Sequence, residues 1–293
     1  MILVAGSANL DFVVQASHIP APGETVLGRD FKTFPGGKGA NQAIACARAG
    51  GMPTEMLLAL GDDAFATPIE LSLRDAGVRT HIVRIDDEST GTAFICVSDD
   101  AQNAITVAPG ANNGLRAAHL PSLERFSHLL LQLETPIDTV IAYARAARGQ
   151  GVKVVLNGAP ARVLSRELLS LLDVLIVNEG ELATISGSSG RVDQSMRRID
   201  VPCIVVTLGE RGCCARLNRE LILQDAFPVT PVDTTAAGDT FCGVLAAGLG
   251  RGLAMSKALR EANAAGALAC TRLGAQSSIP THAELQTFLQ KHP

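Results

Sequence analysis

The chain opens on Met1–Gly6, a run without a polar side chain, as expected for a strand buried on both faces. Short runs of the same kind recur at His128–Leu133, Val152–Leu156, Val174–Val177 and Cys203–Leu208. Stretches with helical spacing separate several of them, for example Thr139–Arg148 and Arg166–Leu172. Strand, helix, strand in that rhythm predicts a parallel sheet wrapped by helices. Two regions break the rhythm. Residues 12–34 and 91–107 alternate polar with β-branched or aromatic positions (ETVLGRDF, GTAFICV, NAITV), broken by Pro-Gly and Asp-Asp turns. They predict antiparallel strands inserted between the main elements as a small lid. The last third is helical: Asp239–Gly250 places Phe241, Val244, Leu245 and Leu249 on one face, and an alanine-rich helix, Ser256–Leu273, ends before Gly274. Residues 186–193 (SGSSGRVD) read as a surface loop, and no internal repeat or low-complexity linker divides the chain. The expectation is one domain over residues 1–293, an α/β three-layer sandwich with a mostly parallel central sheet and a small β-sheet lid.

Composition narrows the function classes. With 293 residues, 47% of them hydrophobic, the chain can bury a sizeable core. A formal net charge of −4 offers no basic footprint for nucleic acid or an anionic membrane. No apolar run is long enough to span a bilayer, and MILVAGSANLDF lacks the basic start of a secretion signal. The seven cysteines are scattered with no C-x-x-C pair, so they read as small buried hydrophobes in a reducing compartment. A cytoplasmic location is expected. None of the six histidines sits in a metal-like pair.

Two segments carry chemistry. In Asp233-Thr-Thr-Ala-Ala-Gly-Asp239-Thr-Phe-Cys-Gly243, the small residues Ala236, Ala237 and Gly238 let a ligand approach the backbone. A helix begins there, and its unpaired N–H groups and dipole attract anions. A carboxylate in a first helical turn also serves as a plain N-cap. Beside an anion cradle, however, Asp239 meets what phosphoryl transfer to an alcohol needs: donors for the transferring charge and a base for the hydroxyl proton. The second segment, Pro35-Gly-Gly-Lys-Gly-Ala-Asn41, enters the amphipathic run Gln42–Ala49. It is no Walker loop, because Lys32 and Gly39 stand where that pattern needs Gly and Ser or Thr. No G-x-G-x-x-G follows the first strand, so a nicotinamide or flavin fold lacks its best support. What remains is a flexible Gly-Gly pair, a cation and an amide at a helix entrance.

In combination these segments resemble the two sequence patterns of the phosphofructokinase-B type carbohydrate kinases. The likeness extends over nearly the whole chain, through Gly6–Asp11, Leu133-Glu134, Asn178–Glu181, Thr207–Gly212, Ala262–Ala265 and Thr271–Ser278. Position by position, it implies that Asn9, Asp11, Gly37, Lys38, Gly39, Asn41 and Glu134 bind sugar hydroxyls. It makes Asp239 the catalytic base and the backbone of Ala236, Ala237 and Gly238 the anion hole. Asn178, Glu181, Thr207, Gly209, Gly212, Gly238 and Asn263 fall to ATP, with Glu181 at the family's acid linked to Mg²⁺ and phosphate. Asp233, Thr235, Ala269, Arg272, Gly274 and Ser278 match an oxygen-lined K⁺ site. Ala236 stands where the wider family tends to have Gly, a substitution familiar in the ribose-phosphorylating branch. The resemblance also suggests a homodimer paired through the lid.

The expected reaction is therefore ATP-dependent phosphorylation of a sugar's primary hydroxyl, D-ribose first. The acceptor segments contain no aromatic residue to face a nucleobase and, Lys38 apart, no cation for a second phosphate. Deoxyribose, fructose, a ketodeoxy sugar acid or a nucleoside remain as other acceptors. A non-catalytic sugar or nucleotide sensor on the same fold is the rival from another class, against which the intact Asp239 argues.

Overall fold

The computed structural model describes residues 1–100 and 102–292. From the amino end, β1 (Ile2–Ala5) leads through β2 (Asn9–Gln15) and β3 (Arg29–Gly36) into α1 (Lys38–Ile44), which continues as a π-helical turn at Ala45–Ala49. There follow β4 (Thr54–Leu60), α2 (Ala66–Asp75), β5 (Arg79–Arg84), β6 (Gly91–Val97) and β7 (Asn103–Ala108). The middle of the chain alternates β8 (His128–Leu131), α3 (Ile137–Gly149), β9 (Lys153–Asn157), α4 (Arg166–Leu171) and β10 (Val174–Asn178). Next come α5 (Glu179–Ser186), α6 (Val192–Met196), β11 (Cys203–Thr207) and the hairpin β12 (Cys213–Leu217) with β13 (Glu220–Gln224). Three helices end the chain: α7 (Ala237–Gly250), α8 (Met255–Cys270) and α9 (His282–Lys291).

The main sheet has the order β13-β12-β11-β10-β9-β8-β1-β4-β5, parallel from β11 to β5. Each central strand alternates its side chains between two cores, which is why the strands read as unbroken apolar runs. Ile2, Val4, Met56, Leu58 and Val155 pack under α1, α2, α7, α8 and α9. Leu3, Ala5, Leu57, Leu129 and Leu156 pack under α3, α4 and the helices near them. The result is the expected three-layer sandwich. The strands β4, β5, β12 and β13 extend the sheet beyond those predicted from the apolar runs.

From β1 the chain builds outward to β4 and β5, then crosses back to β8 and proceeds through β9, β10 and β11 on the other side. The crevice past the carboxyl ends of β1 and β8 is thus the topological switch point, where open α/β sheets bind ligands.

The lid is a separate four-stranded sheet in the order β3-β2-β6-β7. Its outer pairs are antiparallel as expected, but the middle pair, β2 and β6, runs parallel. Here the antiparallel expectation is corrected. Between β2 and β6 the chain traverses two strands of the main sheet, a crossover long enough to return in the same direction. At the lid base Asn9 stands in register with Gly36 and Gly91, so both β2 and β3 meet the main sheet at the switch point. No helix among the described residues is long and apolar enough to cross a membrane.

Candidate active site

Four chain segments converge on the switch point: the β1–β2 link, the β3–α1 link, the turn after β8 and the start of α7. The link into α1 depends on Gly37, whose φ of 87° lies in the region favourable to glycine. A Cβ there would sit 2.7 Å from the Ala8 Cα, so only glycine lets the two links touch. Further along, α1 and its π turn lie against α7 at Gly243, where a Cβ would fall 2.5 Å from the Gln42 carbonyl oxygen. This close approach brings the polar residues of α1 onto the first turn of α7.

Asp239, in that first turn, is buried and accepts one amide on each oxygen. Asn41 Nδ2 donates to Oδ2 at 2.9 Å, and Gln42 Nε2 donates to Oδ1 at 2.9 Å. The Asn41 Oδ1 is buried with no partner among the described residues, an acceptor left for a hydroxyl donor. Glu134 Oε2 accepts from Ser7 Oγ at 2.6 Å and from the Lys38 backbone N–H at 3.1 Å. Ser7 Oγ in turn accepts from the Gly39 N–H at 3.2 Å. Asn9 Oδ1 accepts from Asn112 Nδ2 at 2.8 Å, and Asn112 Oδ1 accepts from the Ala8 N–H at 3.0 Å.

The electrostatics place Asp11, Lys38, Glu134 and Asp239 around one space. Burial, then repulsion from Glu134 and Asp239, pushes the Asp11 carboxyl up to about 7 against the pull of Lys38. The Lys38 ammonium is held above its ordinary value, first by Asp239 against the opposing effect of burial, then by Glu134 and Glu181. Carboxylates, amides and one cation in a buried cleft suit a neutral polyol, each hydroxyl both donating and accepting.

Ala236 adopts a left-handed backbone, φ 58°, immediately before α7, and a Cβ at Gly238 would meet nothing within 4 Å. The Ala237 N–H donates to the Thr234 carbonyl at 3.3 Å, which leaves the next first-turn N–H groups, those of Gly238 and Asp239, without a partner among the described residues, as an anion cradle requires.

Asn178 and Thr207 end the neighbouring strands β10 and β11 and stand in register. Asn178 caps α5: its Oδ1 accepts from the Glu181 N–H, and Glu181 Oε2 accepts from the Asn178 N–H, both at 2.8 Å. Burial pushes the Glu181 carboxyl up against the donation from Asn178 and the pull of Lys38, while Asp239 repels it. Glu181 is thus coupled electrostatically to Lys38 and Asp239 of the acceptor cluster. Gly209 and Gly212 flank a short 3₁₀ turn after β11, and Asn263 on α8 donates to the Asp225 carbonyl at 2.7 Å.

Of the expected cation ligands, Asp233, Thr235 and Gly274 are tied together. Asp233 Oδ1 accepts from the Thr235 N–H and Oδ2 from the Gly274 N–H, both at 2.9 Å. Burial would push this carboxyl up, but those donations outweigh it and hold it below the ordinary carboxylate value. Ser278 Oγ donates to the Ala275 carbonyl at 2.8 Å. The Arg272 side chain turns to Glu284 at 2.7 Å, so only its main chain can face the loop. Carboxylate, hydroxyl and carbonyl oxygens are the donor types a hard cation takes. Among the described residues no group of three or more His, Cys, Asp or Glu is placed to hold a metal ion by itself.

Ser7, Gln42, Asn112, Gln132 and Asn157 belong to this polar network but were not among the expected site residues. Ser7 and Gln42 lie inside or next to the informative segments. Asn112, Gln132 and Asn157 carry no local signal, because their partners come from distant parts of the chain.

The sequence pattern described as pfkB family carbohydrate kinase matches residues 1–282. The chain is 37% identical to the ribokinase of Haemophilus influenzae, covering 99% of this chain and 98% of that one. The crystal structure of ribokinase from Thermotoga maritima superposes with a TM-score of 0.89 at 35% identity, covering 99% of both chains. The structure of Arabidopsis thaliana ribokinase complexed with ribose and ATP superposes at 0.90 with 32% identity, covering 99% of this chain and 98% of that one. Pattern, identity and fold agree over nearly the full length, and the chain belongs to the pfkB family of carbohydrate kinases.

Proposed function

We propose that the chain catalyses ATP-dependent phosphorylation of D-ribose at its primary hydroxyl, with Asp239 as the general base. The observation that carries this reading is the placement of Asp239. Its carboxylate is held by Asn41 and Gln42 in the first turn of α7, beside the left-handed turn at Ala236 and the Gly238 amide. Asn9, Asp11, Lys38, Asn41 and Glu134, with the backbone of Gly37 and Gly39, orient the sugar in the switch-point crevice. The hydroxyl loses its proton to Asp239 and attacks the γ-phosphorus in line as the bond from that phosphorus to the bridging oxygen breaks and ADP leaves, while the Ala236–Gly238 backbone, the Gly238 amide foremost, holds the developing charge. The adenine side rests on Asn178, Thr207, Gly209, Gly212 and Asn263.

Two cations complete the reading. Glu181 and the phosphates would hold Mg²⁺, which usually binds through one or two carboxylates plus substrate oxygens and neutralises the transferring phosphates. Asp233 and the main chains of Thr235, Ala269, Arg272 and Gly274, with Ser278, would hold K⁺. Such an ion orders the loop that leads into the anion cradle. The exposed apolar residues Phe31 (62% exposed), Phe94 (54%) and Ile105 (55%) on the lid support pairing with a second copy. The free state of all seven cysteines supports a reducing cytoplasm.

ADP release measured with ribose, 2-deoxyribose, fructose, adenosine and fructose 6-phosphate under one set of conditions tests the acceptor. Ribose is expected to show the highest kcat/KM, with deoxyribose poorer because the site bonds each hydroxyl. If adenosine or the phosphosugar leads, the polyol reading of Asn9, Asp11, Asn41 and Glu134 is wrong.

A further inference from the structure

Behind Asp239 lies a set of buried amides that touches no substrate position. Gln42 is fully buried, Gln132 is 1% exposed and Asn157 is 7% exposed. Gln42 Nε2 donates one hydrogen to Asp239 Oδ1 at 2.9 Å and the other to Asn157 Oδ1 at 3.0 Å. Gln42 Oε1 accepts from Gln132 Nε2 at 2.7 Å. Asn157 Nδ2 donates to the Ile176 main-chain carbonyl at 3.3 Å.

The directions of these bonds follow from one another. A main-chain carbonyl only accepts, so Asn157 turns its nitrogen to Ile176 and its oxygen to Gln42. Gln42 must then present its nitrogen to Asn157, and the same nitrogen meets Asp239, which as a carboxylate also only accepts. The Gln42 oxygen is left for Gln132, which must offer its own nitrogen. The ends of β8, β9 and β10 thus set the orientation of an amide on α1, and that amide sets the position of a carboxylate on α7.

We infer that Gln42 is the positioning residue for the base, with Gln132 and Asn157 orienting Gln42. The inference rests on the reading of Asp239 as the base. A carboxylate can rotate about its last side-chain bond, and Asn41 alone fixes only Oδ2. Gln42 fixes Oδ1 and so aims the plane of the carboxylate at the sugar hydroxyl. Because Gln42 is fully buried with its amide spent on Asp239, Asn157 and Gln132, its loss should act on turnover and leave sugar binding intact.

The test compares Gln42→Met, Gln132→Met and Asp239→Asn by steady-state kinetics, calorimetric ribose binding and thermal unfolding. Gln42→Met keeps the side-chain length and removes both donors. Its kcat is expected to fall about 10–100-fold, the scale at which small misplacements of a catalytic group act, with the ribose Kd within about twofold. Gln132→Met acts through Gln42 and should lower kcat less, about three- to tenfold, again without a change in Kd. A folded Gln42→Met enzyme with wild-type kcat overturns the inference, as does a loss of kcat matched by an equal loss of ribose binding. If Gln42→Met fails to fold, Gln132→Met decides, and an unchanged kcat there overturns it. Asp239→Asn separates the two readings. If it turns over normally, the base assignment is wrong; if it fails while both glutamine variants are normal, only the positioning role is wrong.

Discussion

In the proposed reading, the acceptor side and the nucleotide side of the cleft are built by different means. Around the sugar position, buried side chains from distant segments hold one another: Asn112 holds Asn9, Ser7 holds Glu134, and Asn41 and Gln42 hold Asp239. On the nucleotide side the polar side chains serve the backbone. Asn178 and Glu181 close the capping box of α5, and Asn263 holds the Asp225 carbonyl. The remaining elements there are strand ends, glycine turns and helix N–H groups. Rigid side-chain partners confer selectivity, because an analogue lacking a hydroxyl leaves a buried group unpaired. Backbone donors grip a phosphate chain whatever side chains surround them. Substitution should therefore damage acceptor chemistry far more than nucleotide affinity.

The largest expected effect is at Asp239. Asp239→Asn should lower kcat by roughly 10²–10⁴-fold, the usual worth of a positioned base, with ribose binding retained. Kinetics paired with calorimetry checks this, and normal turnover would place the base elsewhere.

Next is Asp11, whose carboxyl is pushed up to about 7 from an ordinary 3.8. Between those values the folded chain keeps a proton that the unfolded chain releases, so the Asp11 contribution to stability declines as pH rises from about 4 to about 7. Asp11→Asn should therefore melt higher than wild type at pH 8 without ligand, the gap closing toward pH 4. The same variant should bind ribose more weakly at pH 8, having lost an ionised acceptor. Parallel melting curves across the whole range would show that this carboxyl is not strained by burial.

Potassium should raise kcat where sodium does so poorly, since Asp233 ties together the Thr235 and Gly274 loops proposed to hold the ion. Rates in potassium-free and potassium-containing buffer at fixed magnesium test this, and equal rates would remove the cation from the reading.

The smallest effect belongs to the nucleotide side. Asn178→Ala removes one side-chain cap and should lower stability by about 1 kcal/mol. It should raise the KM for ATP only severalfold while leaving the KM for ribose unchanged. Thermal unfolding and the two KM values decide it. A loss of ribose affinity would erase the contrast between the two sides.

Several parts of this protein were legible from sequence because they are local. The apolar runs around Ile2–Ala5 and Cys203–Thr207 mark doubly buried strands, and the small residues before Asp239 mark a helix entrance open to an anion. The capping box at Asn178 and Glu181, found only in the structure, spans four residues and needs nothing else from the chain. Such features depend on backbone geometry within one turn or one strand, so a short window contains their cause. Other features required the assembled molecule. Asn41 and Asp239 are 198 positions apart, and Asn9 and Asn112 are 103 apart. No periodicity couples positions so distant. The parallel pairing inside the lid was likewise decided by the path the chain takes through the main sheet between β2 and β6. The sequence by itself determined which groups are present, where the helices begin and which faces are apolar. The tertiary structure alone decided which amide meets which carboxylate, because hydrogen bonds are directional and short, and only close packing of α1 on α7 brings those atoms within reach.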